Sequence, residues 1–232
     1  MRVTCMRPQL HRWHAVGLAL SMLPMLAVAQ FVSNTCGSLD THYGPFDYRN
    51  ERSKLPIVEQ FHFTASVESL LRGKSGTVMG DLDYTLRAFP NHHRALVAVL
   101  RLADQQKKAP ELTGTTVDCY FERALVFRRD DVVVRMLYAD YLGRTQRQAQ
   151  ALNHLEFVRT LALDNPLTHY NVGLLFFQFG HYAEALAEAH SAMALGMMRL
   201  ELMQKLKAVG QWSEPLPAAA DEPASAPSAA GS

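Results

Sequence analysis

The most constraining stretch of this chain is residues 166–197, PLTHYNVGLLFFQFGHYAEALAEAHSAMALGM. Apolar residues recur there at helical spacing on both sides of Gly180-His181-Tyr182, which reads as a turn between two helices. Small residues stand where two antiparallel helices would meet: Gly173 in the first, then Ala185, Ala189 and Ala192 in the second. Helices approach closely only where no side chain intervenes, which explains a glycine tolerated inside a helix despite a propensity cost of roughly 1 kcal/mol. One hairpin leaves an apolar face open, so the rest of the chain must supply neighbours, about three repeats or more for a continuous core. With 232 residues, 48% of them hydrophobic, the chain has room for one such domain.

Helical patterning extends back along the chain. Pro56 suits a first turn, and Val58, Phe61, Ala65, Leu70 and Leu71 then form a stripe that ends at Gly73. After the turn KSGTVMG, Asp81 is expected to cap a helix carrying Leu82, Leu86 and Phe89 up to Pro90. Asn91 can cap the next, with Ala95, Leu96, Val99, Leu100 and Ala103 on one face, before a loop marked by Pro110 and Gly114. Further helices are expected at about 116–129, 132–142, 147–162, 167–179, 182–195 and 197–209. No stretch shows sustained strand alternation. Residues 30–55, with Gly37, Gly44, Pro45, Tyr43, Phe46 and Tyr48, lack helical period and read as a cap or extended segment on a helical domain at 56–212. Residues 213–232, rich in Ala, Pro and Ser, cannot offset their ordering entropy by burial and read as a disordered tail.

The 166–197 unit resembles the tetratricopeptide repeat family. Val172-Gly173 stands at the family's Leu-Gly position and Phe176 at the following aromatic. Ala185, Ala189 and Ala192 fall on the second helix, with Ala189 replacing an aromatic and Met197 replacing the usual proline. More degenerate units precede it: CYFERAL and Arg135 to Leu142 look like a second and a first helix, and the interval from Ala139 to Gly173 is 34 residues. The resemblance implies an all-α fold, a right-handed superhelix of antiparallel hairpins behind an irregular N-terminal cap. It further implies a concave surface at Tyr170, Asn171, Leu174, Phe177 and Gln178, with Asn171 at the position that hydrogen-bonds ligand backbone in peptide-binding members; for Leu174 and Phe177 the stronger reading is packing against the previous hairpin. CGSLDTHYGPFDY, HFTASVESLLRG and GDLDYTLRAFPNHHRAL also resemble uncharacterised exported members from Gram-negative bacteria.

The N-terminus agrees with export. Arg2, Arg7 and Arg12 precede an uncharged run, AVGLALSMLPMLAVA, that ends in small residues and reads as a signal peptide at 1–29 cleaved after Ala29. The alternative is a membrane anchor through 15–32, which Pro24 and Gln30 disfavour. Cleavage leaves 20 Lys and Arg against 22 Asp and Glu, a balance with no long-range pull on nucleic acid. The expected location is the periplasm or another exported compartment, with no integral membrane domain after cleavage and with peripheral membrane association left open.

Two cysteines remain in the cleaved chain, Cys36 and Cys119. In an oxidising compartment they can form a disulfide that clips the N-terminal segment to the helical body; two separate buried thiols are the other reading. Other chemistry finds little support. His92-His93 are adjacent, so they point about 100° apart on a helix, and they read as an exposed first turn rather than a metal site. Asp81, Asp83 and Glu68 lack a facing wall for paired-carboxylate chemistry. There is no CxxC or CxxCH, which leaves a thioredoxin-like centre and a c-type haem attachment without support, and no HExxH, GxSxG or phosphate-binding GxxxxGK[ST]. No cofactor is implied.

These observations lead to an expected scaffold that holds a peptide or protein partner without chemical turnover. The competing expectation is an enzyme, or enzyme subunit, with a site formed between residues 36–93 and the helical solenoid. A pocket uniting Asp47, His62, Asp81 and His92 would favour it.

Overall fold

The computed structural model describes residues 36–106 and 115–215. The signal and anchor segments and most of the 213–232 tail lie outside those residues. Every regular element among the described residues is a helix: a 3-10 turn at Arg52–Lys54, then α1 Leu55–His62, α2 Ala65–Glu68, α3 Val78–Ala88, α4 His93–Gln106 and α5 Val117–Phe127. The chain continues with α6 Val132–Arg144, α7 Gln148–Ala162, α8 Pro166–Gln178, α9 Tyr182–Ala194 and α10 Glu201–Ala208. The closest pairings are α6 with α7 and α8 with α9, each joined by a short turn, while α7 meets α8 and α10 closes against α8 and α9. Elements therefore pack on neighbours close in the chain, as in a helical solenoid.

Local chemistry explains the boundaries. Asn165 accepts hydrogen bonds from the amides of Leu167 and Thr168 at 3.0 Å, and Pro166 follows at the first turn, so α8 begins there. Asp131 likewise accepts from the amide of Val134 and starts α6, making the Val132-Val133-Val134 run helical. Gly173 sits in a tight seam: a Cβ there would stand 2.5 Å from Leu202 Cδ2, the end of a side chain that would have to shift, and 3.1 Å from Glu188 Cβ. Ala139, Ala185, Ala189 and Ala192 are buried around the same seams.

The cap packs by its aromatics. Tyr43 meets Phe46 edge-on, and Phe46 meets Phe89 of the α3 terminus, with Tyr48, Leu55 and Val58 completing a small second core. Gly44 has φ +111°, and a Cβ there would lie 2.5 Å from the Ala88 carbonyl oxygen, which accepts from the Phe46 amide.

Three local expectations are corrected. The 56–73 stripe is broken at Phe63-Thr64 into α1 and α2. Helix α3 starts earlier than expected because Thr77, not Asp81, is its cap, accepting from the Gly80 amide at 3.0 Å. Asn91 does not cap α4; its amide is drawn into contacts across the chain, described below, and His92 Nδ1 accepts from the Ala95 amide instead. No helix of the described residues is long and apolar enough to cross a membrane.

Candidate functional site

Helix α5 sets out the site. Thr116 caps it by accepting from the Cys119 amide at 3.2 Å, and Cys119 and Glu122, three residues apart, project from one face. Cys36, from the segment before the helical body, comes against that face. Its sulfur is bonded to that of Cys119, with the two Cα atoms 5.0 Å apart. Glu122 Oε2 lies 3.0 Å from Cys36 Sγ. One donor atom from each of the three side chains falls within 4.8 Å of the others, and all three residues are partly exposed. A disulfide sulfur has no hydrogen to donate, so in the oxidised chain this approach is a close contact and not a hydrogen bond.

Burial raises the Glu122 carboxyl above the ordinary range, the charge of Asp118 adds to this, and Arg147 opposes it. Arg147 is itself engaged, donating to Asp118 Oδ1 at 2.6 Å, and Tyr138 donates to the same oxygen at 2.8 Å.

Cys36 is held in place by more than the bond. The buried guanidinium of Arg123 donates to the carbonyls of Cys36 and Ser38. Further along, Asp47 accepts from Arg128 Nε at 2.7 Å and from Arg49, while Asn91 Nδ2 donates to both Asp47 and Asp131 at 2.7 and 2.9 Å. Asn91 Oδ1 accepts from the Tyr48 amide, and His93 contacts Asp131 at 2.9 Å. Burial alone would raise Asp47, but the hydrogen bonds from Arg49, Asn91 and Arg128 outweigh it and hold the group well below the usual carboxylate range. Asp131 is lowered against burial in the same manner, chiefly by His93.

The polar residues proposed to share a pocket are divided among separate networks. Asp47 belongs to the Asn91 network, and His92 contacts Glu59 at 3.2 Å. His62 pairs with Asp81 at 2.9 Å and stacks on Tyr84. Asp81 also accepts from the amides of Lys74 and Ser75, which is why it is unavailable as a cap. His92 is fully buried and His93 is about one-fifth exposed, so neither occupies an open first turn. Every buried side-chain nitrogen and oxygen among the described residues has a hydrogen-bond partner. These networks are therefore closed on themselves.

On α8, Tyr170 is buried, its hydroxyl donating to Glu201 at 3.2 Å beneath Arg199. Asn171, Leu174 and Phe177 are half-buried, with Phe177 against Tyr182, while exposed Gln178 donates to Asp140 at 3.2 Å. A shallow hollow runs past Tyr170, Met193, Met197, Arg199 and Leu202.

No family model, curated protein or solved structure matches the chain. What stands is a multi-helix all-α fold of solenoid type. The expectation of a scaffold without turnover is overturned by the compact Cys36, Cys119 and Glu122 cluster, a disulfide and a carboxyl gathered in partly exposed positions as a candidate catalytic or metal-binding group. The cluster also lies where the competing expectation placed a site, between residues 36–93 and the helical body. Glu122 was missed because its neighbour Cys36 is 86 residues away. The available signal was the Cys-x-x-Glu spacing on one predicted helix.

Proposed function

We propose that this chain is a thiol–disulfide exchange enzyme of an exported compartment, built on a tetratricopeptide-like solenoid. The observation that carries this reading is a partly exposed disulfide with a carboxyl against one sulfur, at a junction tethered independently by Arg123 and the Asp47 network. Such tethers keep Cys36 beside Cys119 after the bond opens, so the pair can cycle without losing its geometry.

In the exchange, a substrate thiolate attacks one sulfur, the Cys36–Cys119 bond breaks, and a mixed disulfide forms. A second substrate thiol then releases the enzyme. The substrate dithiol is oxidised to its disulfide, two electrons reach the enzyme, and both cysteines end as thiols; the reverse direction reduces a substrate disulfide. Cys36 S–H in the dithiol donates to Glu122 Oε2, which holds the proton near the sulfur that must next lose it. Protein or peptide thiols are the fitting partners, and the half-exposed α8 residues Asn171, Leu174 and Phe177 with Gln178 form a surface on which they can rest.

The test supplies catalytic amounts of the chain with a disulfide-linked peptide and a dithiol reductant, in chelator. More than one turnover per chain, abolished in both Cys36→Ser and Cys119→Ser, is the expected result. A rate equal to the uncatalysed background overturns the reading.

A further inference from the structure

The same three side chains form a second kind of site once the disulfide is open. Two soft thiolates with one hard carboxylate form a mixed set in which the sulfurs select zinc-class ions over calcium or magnesium. Cys119 and Glu122 are fixed one helical turn apart on α5, and Cys36 faces them from a segment that Arg123 holds by two carbonyls. With the bond reduced, the sulfurs separate toward non-bonded contact. The closeness of the two sulfurs in the oxidised chain is the bond itself, while Glu122 Oε2 already stands 3.0 Å from Cys36 Sγ without one; opening the bond makes room for a central ion at ligand distances of about 2.0 to 2.3 Å. Three protein ligands leave one tetrahedral position open to water or substrate.

We propose that the dithiol form binds one divalent ion of the zinc class through Cys36 Sγ, Cys119 Sγ and a Glu122 carboxylate oxygen, so that metal and oxidation compete for the same two sulfurs. This rests on the exchange reading only in requiring that the bond open in the folded chain. Metal uptake displaces two thiol protons to solvent. A disulfide can take the two electrons of the pair only after the ion leaves, so the bound ion holds the two sulfurs in the reduced state. The site is a redox-gated metal switch.

The test uses the full chain reduced with a phosphine and freed of it under argon, titrated with cobalt(II) and then zinc. The reduced chain should show a thiolate-to-cobalt absorption band that zinc abolishes, and the oxidised chain should show none. Glu122→Gln should weaken cobalt binding by roughly 10- to 100-fold, at least the loss that outer-sphere partners of a metal site produce. Equal cobalt binding by the oxidised chain, or by Glu122→Gln, overturns the assignment. A reduced, folded chain that exchanges disulfides in chelator yet takes up no cobalt overturns the metal site and leaves the exchange reading standing. If the bond cannot be reduced without loss of the helical signal, both fall.

Discussion

Glu122 and Asn91 are the two residues whose side chains say most about how this molecule works. Replacing Glu122 with Gln keeps the shape but removes an acceptor for a thiol proton, so exchange should slow by about 100-fold. Stopped-flow reduction by a dithiol measures this, and a wild-type rate would remove Glu122 from the chemistry. Asn91 supplies one amide group to two buried carboxylates and one oxygen to the Tyr48 amide. Asn91→Ala strands those groups and should cost about 2–4 kcal/mol in urea unfolding, whereas an unchanged midpoint would contradict the network's role. His154 gives a pH signature. Burial, and then the charge of Arg135, lower it to about 4. Its ordinary value is about 6.5. Between those values the unfolded chain holds a proton that the folded chain refuses, so stability should rise with pH across about 4 to 6.5. His154→Gln should reduce that slope, and an unaltered slope would rule His154 out as its source. Asp47 and Asp131 have the opposite chemistry but the same direction: lowered carboxyls contribute above their unfolded range near about 4 and lose that contribution as pH falls further.

At the scale of elements, the caps and seams carry the fold. Gly173 lies where α8 meets Leu202 of α10 and Glu188 of α9, so Gly173→Val should lower stability by about 1–3 kcal/mol through overpacking. Thermal melting measures this, and a neutral result would mean that α10 yields freely. The helices from α5 to α9 were legible in the sequence because their apolar spacing is a local signal, although their caps Thr116, Asp131 and Asn165 became plain only in the folded chain. Asp81 and Asn91 were misread as caps because each is taken by a partner that no local pattern reveals, His62 and the Lys74 and Ser75 amides for one, Asp47 and Asp131 for the other. The candidate site was half legible on the same grounds. An even pair of cysteines suggested a bond, but only the folded chain brings Glu122 to it.

Across the whole molecule, neighbour-by-neighbour packing leaves the N-terminal segment as the place where distant sequence is joined, through a disulfide spanning 83 residues and through the Arg123, Arg128 and Asn91 contacts. With those contacts in place, the fold is expected to outlast the bond. Removing it should cost about 2–4 kcal/mol while leaving the helices intact. The central claim, that Cys36 and Cys119 exchange electrons in the native molecule, is met most directly by equilibrating the full chain in graded glutathione redox buffers. Trapping thiols with an alkylating agent for mass analysis, with the helical circular dichroism followed in parallel, reads both states at once. The account predicts that both cysteines become alkylated while the helical signal holds. Thiols that appear only as that signal collapses would contradict it, and would make the bond a structural staple.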